Sequence, residues 1–383
     1  MFEIIDKEGQ EGLSAIIKVV GVGGGGVNAI NHMIAEKVQG VEFIAANTDA
    51  QSLDNSPAGR KLALGVLGAG GRPEVGRAAA EEHREDIRAV LEGARMVFIT
   101  AGMGGGTGSG AAPIVAEVAK EMGVLTVGVV SKPFHFEGGK RMKNAEAGIA
   151  EFSQHVDSLI VILNEQLLEV LGGDAGMDEG FRAANEVLKN AVGGISEIIT
   201  EHGMVNVDFE DVCTVMGETG RAMMGSATAA GLDRARIAAE QAVASPLLEG
   251  IELANARGVL VNITAAKASL RMKEVNEVMA TVTSFAAKDA NIIFGTAYNE
   301  SMGDQLRVTV VVTGLGQKQL QEEPVRDFRV ILNTGTHDSV GSRDDDSELP
   351  AVARRRHRAT IDALENSGIA ARDIPSFLRK QAD

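Results

Sequence analysis

The chain has 383 residues, of which 44% are hydrophobic and 3% aromatic, and its formal net charge is -16. This length suits about two domains with an aliphatic interior, and the negative charge argues against nucleic-acid binding through the whole surface. A lone cysteine excludes an internal disulfide and fits a reducing cytoplasm, and no apolar run is long enough for a membrane span or a signal peptide.

The chain begins with a predicted strand that runs directly into a glycine-rich turn. Residues 15–21 are apolar apart from Lys18, and Gly21–Asn28 leads into a helix that continues to about residue 36. The turn satisfies the G-x-G-x-x-G pattern, and Asp49 follows the next predicted strand at about the spacing where dinucleotide folds bind ribose. A NAD-dependent dehydrogenase with a Rossmann-type site is therefore one interpretation of this region.

A further glycine-rich segment, Gly68–Glu74, precedes a predicted helix over residues 74–91. Pro73 is well placed to open that helix. A plain helix-entry turn explains this segment nearly as well as a ligand contact does.

The most informative stretch is Ala101–Gly110, which holds six glycines between a predicted strand at 96–100 and a predicted helix at 111–122. Glycine loses the most backbone entropy on folding and adds nothing to a core. Such a loop is explained if its N–H groups and the following helix N-terminus face an anion, with phosphate favoured. Thr107 and Ser109 are expected to add hydroxyl donors. A dinucleotide fold does not need this second loop, so it favours a different nucleotide site.

Strands predicted at 125–130 and 158–163 continue the alternation of strands and helices, which predicts a doubly wound parallel sheet with its ligand at the strands' carboxyl ends. Residues 177–200 form the longest helical pattern, with one apolar stripe. Asn185 lies on that stripe, and its position alone favours a hydrogen-bonded core residue over a ligand contact.

Two acids, Asp208 and Asp211, follow the long helix at a spacing of i and i+3. They could position a water or a divalent ion, but Asp208 also suits a helix N-cap, which the spacing favours. A smaller α+β domain is predicted from about residue 219. The scattered histidines argue against a zinc site.

The pattern dissolves from residue 317, where opposed charge blocks in weakly hydrophobic sequence predict a disordered linker. Apolar residues return beside two cations at Asp373–Lys380, which is typical of a short docking peptide.

The segment Gly104–Gly110 resembles the signature loop of the tubulin family, and its surroundings resemble the FtsZ family of bacterial tubulin-like cell-division GTPases. The similarity runs from Ile16 to Gly316 and returns in the last eleven residues. It implies a tubulin-like GTP-binding domain joined by a long central helix to a smaller α+β domain. The implied boundaries are an arm at 1–14, the GTP-binding domain at 15–176, the central helix at 177–203, the C-terminal domain with the catalytic loop at 204–316, the linker at 317–372 and a partner-binding tail at 373–383.

The resemblance also implies a GTP or GDP site with Mg²⁺. The residues it assigns to the phosphates are Gly24, Gly25, Gly26, Val27, Asn28, Gly70, Gly71, Gly104, Gly105, Gly106, Thr107 and Gly108. It assigns Glu137 and Arg141 to the ribose side, and Phe181 and Asn185 to guanine. The acids Asp208 and Asp211, with Asn206, are expected to enter the nucleotide site of a neighbouring subunit.

The implied function is GTP hydrolysis in head-to-tail filaments that form the cytoplasmic division ring at mid-cell. The tail would bind membrane tethers such as FtsA and ZipA, with no insertion of this chain into the membrane. Residues 62–68 are shorter than the family's usual approach to the loop at Gly70, and Arg72 stands where the family often carries Asn. A filament that binds GTP without hydrolysing it therefore stays open beside the dehydrogenase.

Overall fold

A computed structural model describes residues 17–172, 176–200, 205, 207–218, 220–248, 256–287 and 290–315. Its strands, numbered in chain order, are β1 (Ile17–Val22), β2 (Val41–Asn47), β3 (Arg60–Ala63), β4 (Met96–Gly102), β5 (Leu125–Lys132), β6 (Ser158–Leu163), β7 (Gly220–Ala230), β8 (Gly258–Ala265), β9 (Asn291–Tyr298) and β10 (Gln305–Leu315). Its helices are α1 (Gly23–Ala35), α2 (Ala50–Asp54), α3 (Pro73–Glu82), α4 (Arg84–Leu91), α5 (Gly106–Glu121), α6 (Gly139–Phe152), α7 (Asn164–Leu171), α8 (Met177–Thr200), α9 (Phe209–Met216), α10 (Arg234–Val243) and α11 (Met272–Phe285).

The strands form one sheet of ten strands in the order β3-β2-β1-β4-β5-β6-β7-β10-β8-β9. From β3 to β7 all neighbours are parallel, which confirms the predicted parallel nucleotide-binding half. Strand β10 is antiparallel to both of its neighbours, and β8 and β9 are parallel, so the second half is the predicted mixed α+β unit. The halves join where β6 and β7 pair over only three residues.

Side chains alternate between the two faces of this sheet because the strand period is two. On the first face, α1, α8 and α9 cover residues of both halves, including Val19, Ile160 and Leu260. On the second face, α3 to α6 cover the parallel half, and α10 and α11 cover the other half. Helix α8 is therefore the element that holds the two halves together.

Helix α8 has the bounds predicted from its apolar stripe, and Leu188, Val192 and Ile195 of that stripe are buried. At its far end, Glu197 accepts hydrogen bonds from Arg307 of β10 at 2.7 and 2.8 Å. The predicted helix over 74–91 is instead two helices that meet at His83, whose ring lies 2.8 Å from the Ala79 carbonyl oxygen.

No helix within the described ranges is long and apolar enough to cross a membrane. The predicted arm, linker and tail peptide lie outside the described residues, as do residues 201–203 of the predicted central helix.

Candidate nucleotide site

The glycine-rich turns meet at the carboxyl edge of the parallel strands, where they line a cavity of about 750 Å³. Its lining is Gly24, Asn47, Thr48, Asp49, Ser52, Gly68, Ala69, Gly70, Gly71, Gly104, Gly105, Gly106, Thr107, Glu137, Gly138, Gly139, Lys140, Arg141 and Asn144. The structure thus brings together nine of the residues assigned to the nucleotide: Gly24, Gly70, Gly71, Gly104, Gly105, Gly106, Thr107, Glu137 and Arg141.

The glycines of the first turn have two different roles. Gly24 leaves the backbone open, whereas Gly25 and Gly26 allow close packing against β4. A Cβ at Gly24 would meet no atom within 4 Å, whereas a Cβ at Gly25 would lie 2.9 Å from the Gly102 Cα. A Cβ at Gly26 would collide with the Thr100 carbonyl oxygen. Close packing of α1 on β4 therefore brings the start of α1 to the cavity.

Two further residues assigned to this turn lie beside the cavity lining rather than in it. The side chain of Val27 is buried in the core, and Asn28 is exposed in the next position of α1. Any contact of Val27 with a ligand would have to come from its backbone. Their roles stay predictions.

The second turn becomes a helix earlier than the sequence predicts, because α5 already begins at Gly106. Gly105 occupies the N-cap without a side-chain hydrogen bond, and the first turn contains no acid. The N–H groups of this turn and the positive end of the helix dipole are therefore available to an anion. A Cβ at Gly106 would lie 2.8 Å from the Arg72 backbone nitrogen, so glycine also lets the neighbouring loop close over this site.

The hydroxyl groups of this turn face different ways. Ser109 is 1% exposed and lies outside the cavity lining, and its Oγ accepts the Gly104 N–H at 2.8 Å, so it shapes the loop while its role as a donor stays a prediction. The Thr107 Oγ1 lies 2.6 Å from the Thr48 Oγ1, and both residues line the cavity. Thr48 was missed by the sequence analysis, although the polar run Asn47–Asp49 at a strand end was a visible signal.

Charged residues cluster on the other wall of the cavity. Glu137 accepts a hydrogen bond from Arg141 at 2.5 Å and another from the Phe134 N–H at 2.9 Å. These contacts offset the negative charge of the carboxylate beside the anion-binding turns. Asp49 accepts the Gln51 N–H at 3.1 Å and caps α2.

An aromatic surface adjoins this wall. Phe134 stacks on Phe136 with ring centroids 5.1 Å apart and meets the edge of Phe181 at 5.3 Å. Phe181 and Asn185 stand near the start of α8 and are not part of the cavity lining. Phe181 is 39% exposed, which leaves ring surface available next to the segment that carries Glu137.

Asn164 is a candidate polar group that the sequence analysis did not identify. It directly follows β6 and is 4% exposed, and within the described part of the chain its Oδ1 is buried without a hydrogen-bond partner. A buried unpaired amide oxygen in a native protein calls for a partner. The sequence around it offered no signal, since Asn164 reads as an ordinary helix start.

The acids Asp208 and Asp211 lie near the amino ends of the parallel strands, at the opposite end of the strands from the cavity. The Asp208 Oδ1 accepts the Asp211 N–H at 2.7 Å, which confirms the predicted N-cap of α9. The neighbouring Glu210 binds Arg95, which directly precedes β4, with an N···O distance of 3.0 Å. The seven residues of β4 separate Arg95 from the cavity edge, a span of about 20 Å at ~3.3 Å per residue. Asn206 lies outside the described residues.

Comparison with known proteins agrees with this geometry. The sequence profile of the "Tubulin/FtsZ family, GTPase domain" matches residues 16–172, and that of the "FtsZ family, C-terminal domain" matches residues 220–316. The chain is 51% identical over 403 aligned residues to the cell division protein FtsZ of Pseudomonas aeruginosa, with 100% of both chains covered. The chain belongs to the FtsZ family.

Other comparisons, with a second FtsZ and with two solved structures, extend this result. The FtsZ of Wigglesworthia glossinidia brevipalpis is 49% identical over 96% of this chain and 97% of its own length. The solved structure "FtsZ dimer, empty" from M. jannaschii matches with a TM-score of 0.76 and 42% identity, over 81% of this chain and 93% of that one. The CetZ2 protofilament of Haloferax volcanii, at 22% identity and a TM-score of 0.66 over 79% of this chain and 94% of that one, shows the same fold. The dehydrogenase interpretation is not favoured.

Proposed function

We propose that this FtsZ-family chain binds and hydrolyses GTP at a site completed by a second copy, and that the copies assemble head to tail into filaments of the cytokinetic ring in bacterial cell division. The observation that carries the proposal is the separation of about 20 Å between the anion-binding cavity and the acids of α9. Within one chain these two parts of the site do not meet.

The cavity supplies the binding half of the site. The cavity-lining backbone at Gly24, Gly70, Gly71 and Gly104–Gly106 contacts the phosphates, and the hydroxyl group of Thr107 adds a donor. Glu137 and Arg141 take the ribose side, and Phe181 and Asn185 take the guanine. This division rests on the family resemblance, and the chemistry supports it, because backbone N–H groups at a helix N-terminus bind anionic phosphates and an aromatic surface packs against a planar base.

The amino edge supplies the catalytic half. Asp208 and Asp211 are exposed there, so their carboxylates are accessible to a second copy. Stacking the amino edge of one copy on the carboxyl edge of the next brings the acids to the phosphates, where they orient and polarise the attacking water together with Asn206. Phosphoryl transfer needs positioning and electrostatic stabilisation more than covalent chemistry from the protein. Two different edges make a heterologous contact, and such contacts repeat into open filaments.

A magnesium ion fits the donor chemistry of the cavity. No group of three or more acidic, histidine or cysteine side chains gathers in the described residues, so a cage made only of protein ligands is not found there. Mg²⁺ commonly keeps several waters and binds phosphate oxygens with one or two protein oxygens. The hydroxyl groups of Thr48 and Thr107 and the carboxylate of Asp49, which line the cavity, would hold it. When bound, the ion neutralises charge that develops on the phosphates.

The location and the partners follow from the family. We infer that filaments of this chain act in the cytoplasm at mid-cell, and that Asp373–Lys380 binds tethers of the FtsA and ZipA kind. The apolar and cationic residues of that segment support this role. Calorimetry of the intact chain and of a chain truncated at residue 372 with each tether tests it, and equal affinity for both chains contradicts it.

The shared site is tested by mixing two variants that are each inactive. Gly24→Asp places a carboxylate in open space beside the phosphates and should abolish GTP binding, whereas Gly24→Ala should retain it. Asp211→Ala should bind GTP and release no phosphate. Equimolar Gly24→Asp and Asp211→Ala should recover a measurable part of the wild-type rate, since each pair can form an interface with one intact cavity and one intact acid edge.

Concentration dependence supplies the second readout. Phosphate release per wild-type molecule should be near zero below a threshold concentration and rise with pelleted polymer above it. A rate independent of concentration, with no recovery on mixing, would show that each copy hydrolyses GTP by itself. Polymer that forms with GTP and releases no phosphate at any concentration would instead support the non-hydrolysing filament.

A further inference from the structure

We propose that Arg95 is a positioning residue for GTP hydrolysis, because it fixes the start of α9 and with it the acids that this chain offers to a second copy. The inference rests on the proposed shared site and names a side chain that the site depends on. Arg95 directly precedes β4 and lies about 20 Å from the cavity of its own chain. Its effect on turnover therefore has to act through the acids of α9.

The start of α9 is more exposed than the rest of this helix. Its three acids are exposed, whereas Val215 and Met216 near its end are buried. The second half of the chain holds that buried end, where the Thr313 hydroxyl group donates to the Val215 carbonyl oxygen at 2.8 Å. A short helix that is fixed at one end can still tilt at the other. The exposed start needs a contact of its own if its carboxylates are to keep a fixed position.

Arg95 makes two contacts with the start of α9. Its Nη2 donates to the Glu210 Oε1 at 3.0 Å, and its guanidinium carbon lies 4.5 Å from the centroid of the Phe209 ring. An arginine over an aromatic face adds a cation–π attraction to the ion pair. Both contacted residues stand between Asp208 and Asp211 in the sequence. One planar group thus restrains the segment that carries both proposed catalytic acids.

The backbone that carries Arg95 is rigid. Strand β4 pairs with β1 over Met96–Ala101 and with β5 over Met96–Gly102. The Arg95 carbonyl oxygen also accepts the Leu125 N–H at 3.2 Å. The other end of β4 leads into the turn at Gly104–Gly106, which lines the cavity. A single central strand therefore connects the phosphate turn of a chain with the side chain that holds its acids.

The exposure of this ion pair separates a positioning role from a structural one. Arg95 is 51% exposed and Glu210 is 77% exposed, and ion pairs as exposed as this contribute little to the free energy of unfolding. Hydrolysis is more sensitive, since a displacement of about 1 Å can lower a rate by roughly a hundredfold. We expect loss of the Arg95 contacts to lower turnover about tenfold and to leave the urea unfolding midpoint nearly unchanged.

A mixture of two chains measures the acid edge by itself. The first chain carries Gly24→Asp and contributes its acids, and the second carries Asp211→Ala and contributes its cavity. Arg95→Glu or Glu210→Arg is then added to the first chain. Each should lower the maximal rate of phosphate release per pelleted chain about tenfold without changing KM, because the second chain binds the GTP. The two changes together restore opposite charges and should return the rate to within about threefold of the parent mixture.

Arg236→Glu in the first chain is the matched control. Arg236 is also 51% exposed and forms an ion pair of 3.0 Å with Glu240 on α10. This variant should leave the rate of the mixture unchanged. A loss as large as that of Arg95→Glu would show a general effect of reversed surface charge and would overturn the proposal.

The remaining outcomes separate this inference from the shared site. If the parent mixture recovers activity and Arg95→Glu and Glu210→Arg leave its rate unchanged, the positioning role is wrong and the shared site stands. The positioning role is also wrong if the double charge reversal recovers no activity, or if the loss disappears once the rate is divided by the amount of polymer. A parent mixture without activity would overturn the shared site and this inference together.

Discussion

Asp208 combines two roles that substitutions can separate. Its Oδ1 caps α9 by accepting the Asp211 N–H at 2.7 Å, and the proposed shared site uses its charge. Asp208→Asn keeps a side-chain oxygen that can cap the helix but removes the charge, whereas Asp208→Ala removes both. Asp211→Asn removes a charge whose carboxylate takes no part in the cap.

The magnitudes of the two roles differ enough to be measured apart. Loss of an N-cap oxygen costs about 1 kcal/mol of unfolding free energy, and Asn caps about as well as Asp. Loss of one electrostatic contact to a transition state costs about 3 kcal/mol of activation free energy, or roughly a hundredfold in rate. We therefore expect all three variants to lose about two orders of magnitude in GTP turnover, while Asp208→Ala alone unfolds at clearly lower denaturant concentration.

The assay measures phosphate release above the assembly threshold, nucleotide affinity by competition with a fluorescent GTP analogue, and urea unfolding. Affinity should stay unchanged in all three variants, because the acids lie about 20 Å from the cavity of their own chain. If Asp208→Asn and Asp211→Asn hydrolyse GTP at the wild-type rate, the carboxylates have no catalytic role and the α9 acids are a helix cap.

Three further predictions concern packing and protonation. Gly26→Ala drives a Cβ into the Thr100 carbonyl oxygen, so we expect a loss of about 1–3 kcal/mol in urea unfolding. Arg234→Met removes a buried guanidinium group and leaves the half-buried Glu274 carboxylate without its partner at 2.7 Å, so it should cost about 3 kcal/mol in the same assay. Burial alone would raise the pKa of Glu274, but hydrogen bonds from Arg234 and from the backbone outweigh it, so the pKa is lowered. The ion pair therefore stabilises the folded chain at neutral pH. This contribution to the unfolding free energy is lost as the pH falls below 4.5. Burial, with the charge of a nearby acid, raises the pKa of Cys213 to about 11, so at pH 8 its labelling by a thiol reagent should be about a hundredfold slower in the folded chain than in urea.

The two stability predictions each have a matched control variant. Gly24→Ala adds a methyl group in open space and should leave stability unchanged. Arg236→Met removes an exposed ion pair with Glu240 at 3.0 Å and should cost less than about 1 kcal/mol. If test and control variants lost equal unfolding free energy, the result would contradict the close packing assigned to Gly26 and the effect of burial assigned to Arg234. Rapid labelling of folded Cys213 would contradict the assigned environment.

Local chemistry made part of this protein predictable from its sequence. The bounds of α8 follow from its apolar stripe, and the cap at Asp208 follows from an acid placed before an apolar helical run. The glycines at Gly104–Gly106 indicate backbone approach to an anion, because no packing role explains so many in one strand-to-helix turn. These features depend on neighbours within a few positions of the chain.

Other features depend on contacts between residues that are distant in sequence, and local sequence patterns could not predict these features. Strand β7 was not predicted because its small residues and glycine are poor strand formers, and it exists through pairing with β6 and β10. Ser109 turns to the loop backbone because Gly104 presents a donor to it. Only the tertiary structure shows that the side-chain amide of Asn164 is buried and that its Oδ1 has no hydrogen-bond partner within the described residues.

The sequence by itself predicted which turns face an anion, and it determined which residue caps α9. Tertiary structure decided where the glycine-rich turns and the α9 cap lie relative to each other. All parallel strands have their carboxyl ends on one side of the sheet and their amino ends on the other. The turns after β1 and β4 must therefore meet at the first side, and Arg95 before β4 holds α9 at the second. A span of seven strand residues then keeps the acids away from the cavity of their own chain, and this distance is the physical reason why the proposed site needs a second copy.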